Sequence, residues 1–324
     1  MNTFKIKNKA FRGNIDCFQS LIDISNLAVE EDWTVDFSDF IEATPFNMLL
    51  ISLGLKTHNQ VWGNLKSCRM PKENGYLNYM GFFETCGVQV PKDTRRGTYK
   101  KGVYICIKKI KLSGGMSIEA DYELIEKEAK KLSSMLDFDE ELSAYTNYCF
   151  FEMIRNVYEH SETDEVYVCA QYWPTQKIVE IAIAAAGCGI RKAMEKRYQG
   201  TEQELLEKAM FPGLTARSNH QFLPRDDYYR NSGYGLYLTK ELALAYDGYF
   251  IICSGKYAYK YTQKKTEIIN TFFLGTAIGI RFSTDTFKNF QTVRSKIIKE
   301  AEKLSKEEKG AIHSASKSSG GSRY

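Results

Sequence analysis

FFEMIRNVYEH, residues 150–160, is the stretch on which the fold turns. It closes a longer run, LSAYTNYCFFEMIRNVYEH (142–160), whose apolar residues recur at three and four, the helical period. Glu152 and Asn156 stand four apart, so they share one face of that helix, and His160 lies a turn further along it. A carboxylate beside an amide suits a hydrated Mg²⁺ and an oriented water. A solvated polar face is the competing reading, and the helix alone does not choose between them.

Working outward, two glycine turns change the balance. AAAGCGI (184–190) follows the apolar run KIVEIAIAA and precedes a basic helical stretch, RKAMEKRY, so Gly187 and Gly189 let the backbone come close to a ligand before Ile190. NSGYGLYL (231–238) opens a second helix, with Gly233, Tyr234, Gly235 and Leu236 at its start. The first amides of such a helix favour an anion. EVYVCAQYW and KIVEIAIAA read as a hairpin joined at PTQ, and YFIICSG and TAIGIRFS as later strands. A polar loop runs from Phe211 to Asn231. Helices on one face of a mixed sheet give a two-layer α/β sandwich over about residues 116–285.

These boxes, in this order, resemble the GHKL ATPases: gyrase, heat-shock chaperone, histidine kinase and MutL types. FFEMIRNVYEH resembles the N box, AAAGCGI the first glycine box, NSGYGLYL the second, and FLGTAIGIRF (273–282) the closing Gly-Thr strand. The resemblance implies a Bergerat-type fold binding ATP with Mg²⁺. It implies that Glu152 is the general base and that Asn156 holds the metal. Gly187, Gly189 and Ile190 would shape the nucleotide floor. Gly233, Tyr234, Gly235 and Leu236 would meet the phosphates, and Thr276 would help hold the adenine. The loop 211–231 would be the lid, with Arg217 and Arg225 in reach of phosphate.

One position departs from the pattern. The family reads D-x-G-x-G in the first glycine box, and its Asp accepts from the adenine amino group; here that position is Ala185. Losing a hydrogen bond to a charged group costs about 1.5–3 kcal/mol, roughly 10- to 100-fold in affinity. Either Ala185 is natural and the chain a weak or lapsed binder, or it replaces the family's Asp; the intact Glu152 favours the second.

The N-terminal segment, 1–115, alternates short apolar runs with turns and ends at a plausible linker around Gly114 and Gly115. WTVDFSDFIEATPFNMLL (33–50) reads strand, turn, helix and resembles STAS domains, with a mixed sheet and helices implied. Thr44 falls where those domains carry a phosphorylated Ser, but Thr before Pro is also an ordinary helix N-cap.

Charge and composition exclude several classes. The net charge of +4 comes from 44 basic and 40 acidic residues, and the last 34 residues alone carry eight basic and four acidic ones. The preceding body is neutral, which argues against a nucleic-acid-binding face. Residues 286–324 are read as a charged helix and a flexible, separable basic tail. The longest apolar stretch, Phe46 to Leu55, is far short of the roughly 20 residues of a membrane span. Eight scattered cysteines without a C-x-x-C pair read as reduced thiols of a cytoplasmic protein. The expectation is therefore a nucleotide-binding regulatory switch with a protein partner or homodimer. A Ser/Thr kinase of the anti-sigma type and a pseudo-ATPase interaction module are the alternatives. A bacterial regulatory or anti-phage defence role is fold-level analogy.

Overall fold

The computed structural model describes residues 1–6, 15–40, 43–71, 75–87, 102–112, 118–216 and 232–316. Two sheets organise them. The first is parallel, in the order β1 (Asn2–Lys5), β2 (Trp33–Asp36), β3 (Leu65–Arg69). It is accompanied by α1 (Ile15–Ser25), α2 (Pro45–Trp62), α3 (Gly75–Tyr79) and α4 (Phe82–Cys86). The expected N-terminal mixed sheet is thus a parallel one among the described residues.

The second sheet is antiparallel throughout. Its order is β4 (Tyr104–Lys111), β5 (Glu165–Trp173), β6 (Ile178–Ala186), β8 (Thr266–Ser283), β7 (Tyr249–Thr262). β4 belongs to it although sequence reading grouped that run with the N-terminal segment, because its pairing partner is β5. α5 (Ile118–Ser133), α6 (Glu140–His160), α7 (Gly189–Met194), α8 (Glu202–Ala209), α9 (Gly235–Ala245) and α10 (Phe290–Glu307) complete the chain.

The helices of residues 116–285 lie on one face of this sheet, and the N-terminal segment adds a third layer on the other. α6 and α9 pack on one face of the five-stranded sheet, and α10 packs over those two helices, around Tyr145, Ile154, Leu238 and Ile297. α1 and α2 cover the other, where Phe18, Phe46 and Leu53 meet Cys169, Ala182 and Ala277. The reason is visible in β6: Val179 to Ala185 are buried without a break, the pattern of a strand covered on both sides. α2 is buried along most of its length for the same reason, and it starts cleanly, with Pro45 at the first turn and the Thr44 hydroxyl accepting from Asn47 N. α6 is fixed by its N-cap Asp139, which accepts from Leu142 N at 2.8 Å, with Glu140 and Glu141 in the first turn.

α10 is not a separable appendage. Phe290, Ile297 and Ala301 enter the main core, the Phe290 ring packs at a tilt against Tyr145, and the Arg294 guanidinium lies 4.4 Å over the Tyr148 ring. Apart from the buried Arg294 and the half-buried Glu302, its charged residues occupy the outer face. Residues 317–324 of the tail, and Gly114 and Gly115, lie outside the described residues.

Candidate functional site

The three motifs converge. β6 ends at Ala186, the chain turns through Gly187 to Gly189, and α7 begins; α6 runs beside this turn, and α9 starts against α6. Asn156 from α6, Ile190 from α7, and Gly233 and Leu236 at the start of α9 line one recess of about 40 Å³. Four residues singled out from separate stretches of sequence thus meet at one place. Leu214, Thr215 and Ala216, on the described side of the expected lid, form another wall. Arg217 and Arg225 lie outside the described residues.

Glu152 is next to the recess but enclosed. Its Oε2 accepts from Arg155 Nη2 at 2.8 Å, and both side chains are almost wholly buried. Arg155 Nε is 3.7 Å from Glu159, whose Oε1 accepts from the Tyr122 hydroxyl at 2.7 Å. Burial works against the charge on Arg155, but Glu152 and Glu159 outweigh it and its pKa is raised. The Glu152 carboxylate also abuts α9: a Cβ on Gly235 would sit 2.5 Å from Oε2. Glycine there lets a carboxylate approach the positive end of α9, whose N-cap, Tyr234, gives no side-chain bond. The amide of Asn156 donates through Nδ2 to the Glu152 carbonyl at 2.8 Å. That bond uses the donor; the side-chain oxygen is the atom a cation needs.

The glycines are accounted for by close packing within the protein. A Cβ at Gly187 would run into the Ser161 carbonyl, which itself accepts from Cys188 N at 2.8 Å. Gly189 has φ +71°, and its Cβ would meet Ser254 Oγ at 3.0 Å. Gly233, φ +72°, lies against the Leu214 carbonyl. Below the first turn, Ala185, Thr276 and Ser254 are successive cross-strand partners on β6, β8 and β7. Ser254 Oγ accepts from Ile190 N at 2.9 Å, donates to the Gly275 carbonyl at 2.8 Å, and is 3.4 Å from Thr276 Oγ1. Ala185 is fully buried and offers a methyl group where this row of hydroxyls ends.

Tyr234 faces away from the recess. Its side chain is fully buried and its hydroxyl lies 2.8 Å from Ser305 Oγ and donates to the Ile312 carbonyl at 2.9 Å. Arg155 and Ser254 were not singled out from the sequence. The spacing of Glu152 and Arg155, three apart on a helix, was a usable signal. Ser254 had none, since its role depends on pairing with a strand 22 residues away.

In kind, these residues fit a nucleotide: backbone amides at the start of α9, an amide oxygen at Asn156, and a hydroxyl row beside Ala185. As built, the recess does not have the volume for one. Among the described residues no three of His, Cys, Asp and Glu come together, so Mg²⁺ would need phosphate oxygens to complete its shell. None of the eight cysteines is in a disulfide, and burial pushes the Cys149 thiol up to about 12, away from the reactive thiolate. Among the described residues no helix is long and apolar enough to cross a membrane. No family model matches the chain, and no curated protein matches it.

Proposed function

We propose that the chain is a Mg²⁺-dependent ATP-binding module of the GHKL type, with a Bergerat-type sheet and helix layer behind a STAS-like N-terminal region. The observation that carries this reading is the convergence of Asn156, Ile190, Gly233 and Leu236 on one recess, with Glu152 against the start of α9.

In this reading the amides at the start of α9 and the side-chain oxygen of Asn156 hold the triphosphate end. Mg²⁺, when bound with the nucleotide, would supply charge neutralisation at the phosphates. Glu152 takes the proton of the attacking water at Oε2 once Arg155 releases that atom. Thr276 and Ser254 orient the base end. Ala185 leaves the adenine amino group without its acceptor and weakens binding. The output is a conformational switch, with a protein partner or a second copy of the chain as its reader.

A kinase acting on Thr44 is disfavoured: that residue is 3% exposed and its hydroxyl caps α2. The pseudo-ATPase reading keeps support from the small recess, the Glu152–Arg155 pair and Ala185. Incubation of the Ala185→Asp protein with labelled ATP and Mg²⁺ tests these alternatives. The proposal expects free labelled phosphate and unlabelled protein. Labelled protein would support the kinase, and neither product would support the pseudo-ATPase.

A further inference from the structure

The wall of the recess formed by Leu214, Thr215, Ala216 and Gly233 is tied to the C-terminal segment. Gly213 N donates to the Gly233 carbonyl at 3.1 Å, which joins the chain on either side of residues 217–231. Ile312 N then donates to the Gly213 carbonyl at 2.8 Å, and the Tyr234 hydroxyl bonds back to the Ile312 carbonyl and to Ser305. Ser232 Oγ reaches Ser316 Oγ at 3.4 Å. Gly213, at φ +84°, has no room for a Cβ because the Ile312 carbonyl occupies it. The segment is itself anchored: Ala315 N donates to Glu302 of α10 at 3.1 Å, and α10 is rooted in the core through Phe290, Ile297 and Ala301.

Volume decides what this clasp does. The recess of about 40 Å³ has space for a few waters. Pockets for small ligands run to roughly 300–1,000 Å³. Opening to that size requires the 214–216 and 233 wall to move, since the opposite wall is built from core helices. The wall cannot move far while Ile312 holds Gly213 and Tyr234.

We propose that residues 305–316 are an internal brake on the recess: the docked segment and a bound nucleoside triphosphate exclude one another. This rests on the nucleotide reading above and adds the regulation of that same site. Because coupling between two binding events is reciprocal, undocking the segment tightens nucleotide binding and nucleotide loosens the segment by the same factor. A chain whose C-terminal segment served only as packing would show neither effect.

Two variants weaken the clasp without removing α10. A chain ending at Lys309 loses Ile312 and Ser316, and Tyr234→Phe keeps every residue but drops the hydroxyl. Each is titrated with Mg·ATP by calorimetry beside the full chain, both with Ala185 and with Ala185→Asp. With each lost hydrogen bond contributing on the order of 1 kcal/mol, truncation, which removes three bonds of the clasp, is expected to tighten binding roughly 100-fold, and Tyr234→Phe, which removes two, about 30-fold. Equal affinities in folded variants overturn the brake and leave nucleotide binding standing. No binding by any of the chains overturns both. In the full-length Ala185→Asp chain, Mg·ATP should also speed hydrogen exchange at the Ile312 amide. Binding with unchanged exchange there contradicts the proposal even if the truncated chain does not fold.

Discussion

Glu152 and Glu180 are both fully buried carboxylates, on opposite sides of the five-stranded sheet, and they are held in different ways. Glu180, on β6, accepts from Phe46 N at the start of α2 at 3.0 Å and from the Tyr249 hydroxyl at 2.8 Å, with Arg281 at 3.8 Å. Its partners come from three different elements, and it joins α2 to the sheet. Burial and the Glu180 charge together push the Tyr249 hydroxyl well above its usual pKa. Glu152 takes its ion pair from Arg155, one turn along its own helix. A carboxylate tied across elements is a joint of the fold. One whose ion-pair partner lies on its own helix can exchange that partner without parting two elements, although the Glu152 carboxylate also abuts the start of α9. The second arrangement suits a general base that must be withheld and then delivered.

That contrast is measurable. Glu180→Ala strands a backbone N–H, a hydroxyl and a guanidinium, and should cost about 3–5 kcal/mol of unfolding free energy in urea. Glu152→Ala leaves Arg155 with Glu159 and should cost less, about 1–3 kcal/mol. Reversal of this order would break the distinction between joint and releasable base.

Glu165 sharpens it from the surface. Lys109 Nζ donates to it at 2.9 Å, and this bond, against some burial and with help from Tyr167 and Lys56, lowers its pKa from 4.5 to about 2. A lowered carboxylate pKa stabilises the fold above about pH 4.5, and that contribution is lost as pH falls toward 2. Lys109 is half exposed, so the effect is the smallest of the set. Lys109→Met should flatten the acid limb of the stability profile between those pH values. An unchanged profile would remove Glu165 from the comparison.

What sequence could show depended on whether the cause was local. α6, the β5–β6 hairpin, α9 and the Thr44 cap follow from periodicity, turns and caps within a few residues of each other. The third layer did not, although the unbroken apolar run of β6 carried the hint. The β7–β8 hairpin is far longer than YFIICSG and TAIGIRFS suggest, because lysines and tyrosines at 256–265 interrupt the apolar pattern while the ladder continues past a bulge at Gly255. α10 read as solvated because its charges hide Phe290, Ile297 and Ala301, a stripe that matters only once α6 and α9 lie beneath it. The enclosure of Glu152 was equally hidden: spacing places Arg155 on the same helix face but does not say that the face is buried.

The central claim is that the recess binds a Mg²⁺-nucleotide and that Glu152 acts on it. Calorimetry with Mg·ATP, with phosphate release followed on the same samples, compares the chain as it stands, Ala185→Asp, and Ala185→Asp combined with Glu152→Ala. The account predicts roughly 10- to 100-fold tighter binding with Asp at 185, kept in the double variant while phosphate release is lost. Absence of binding in all three, or undiminished release without Glu152, would contradict it.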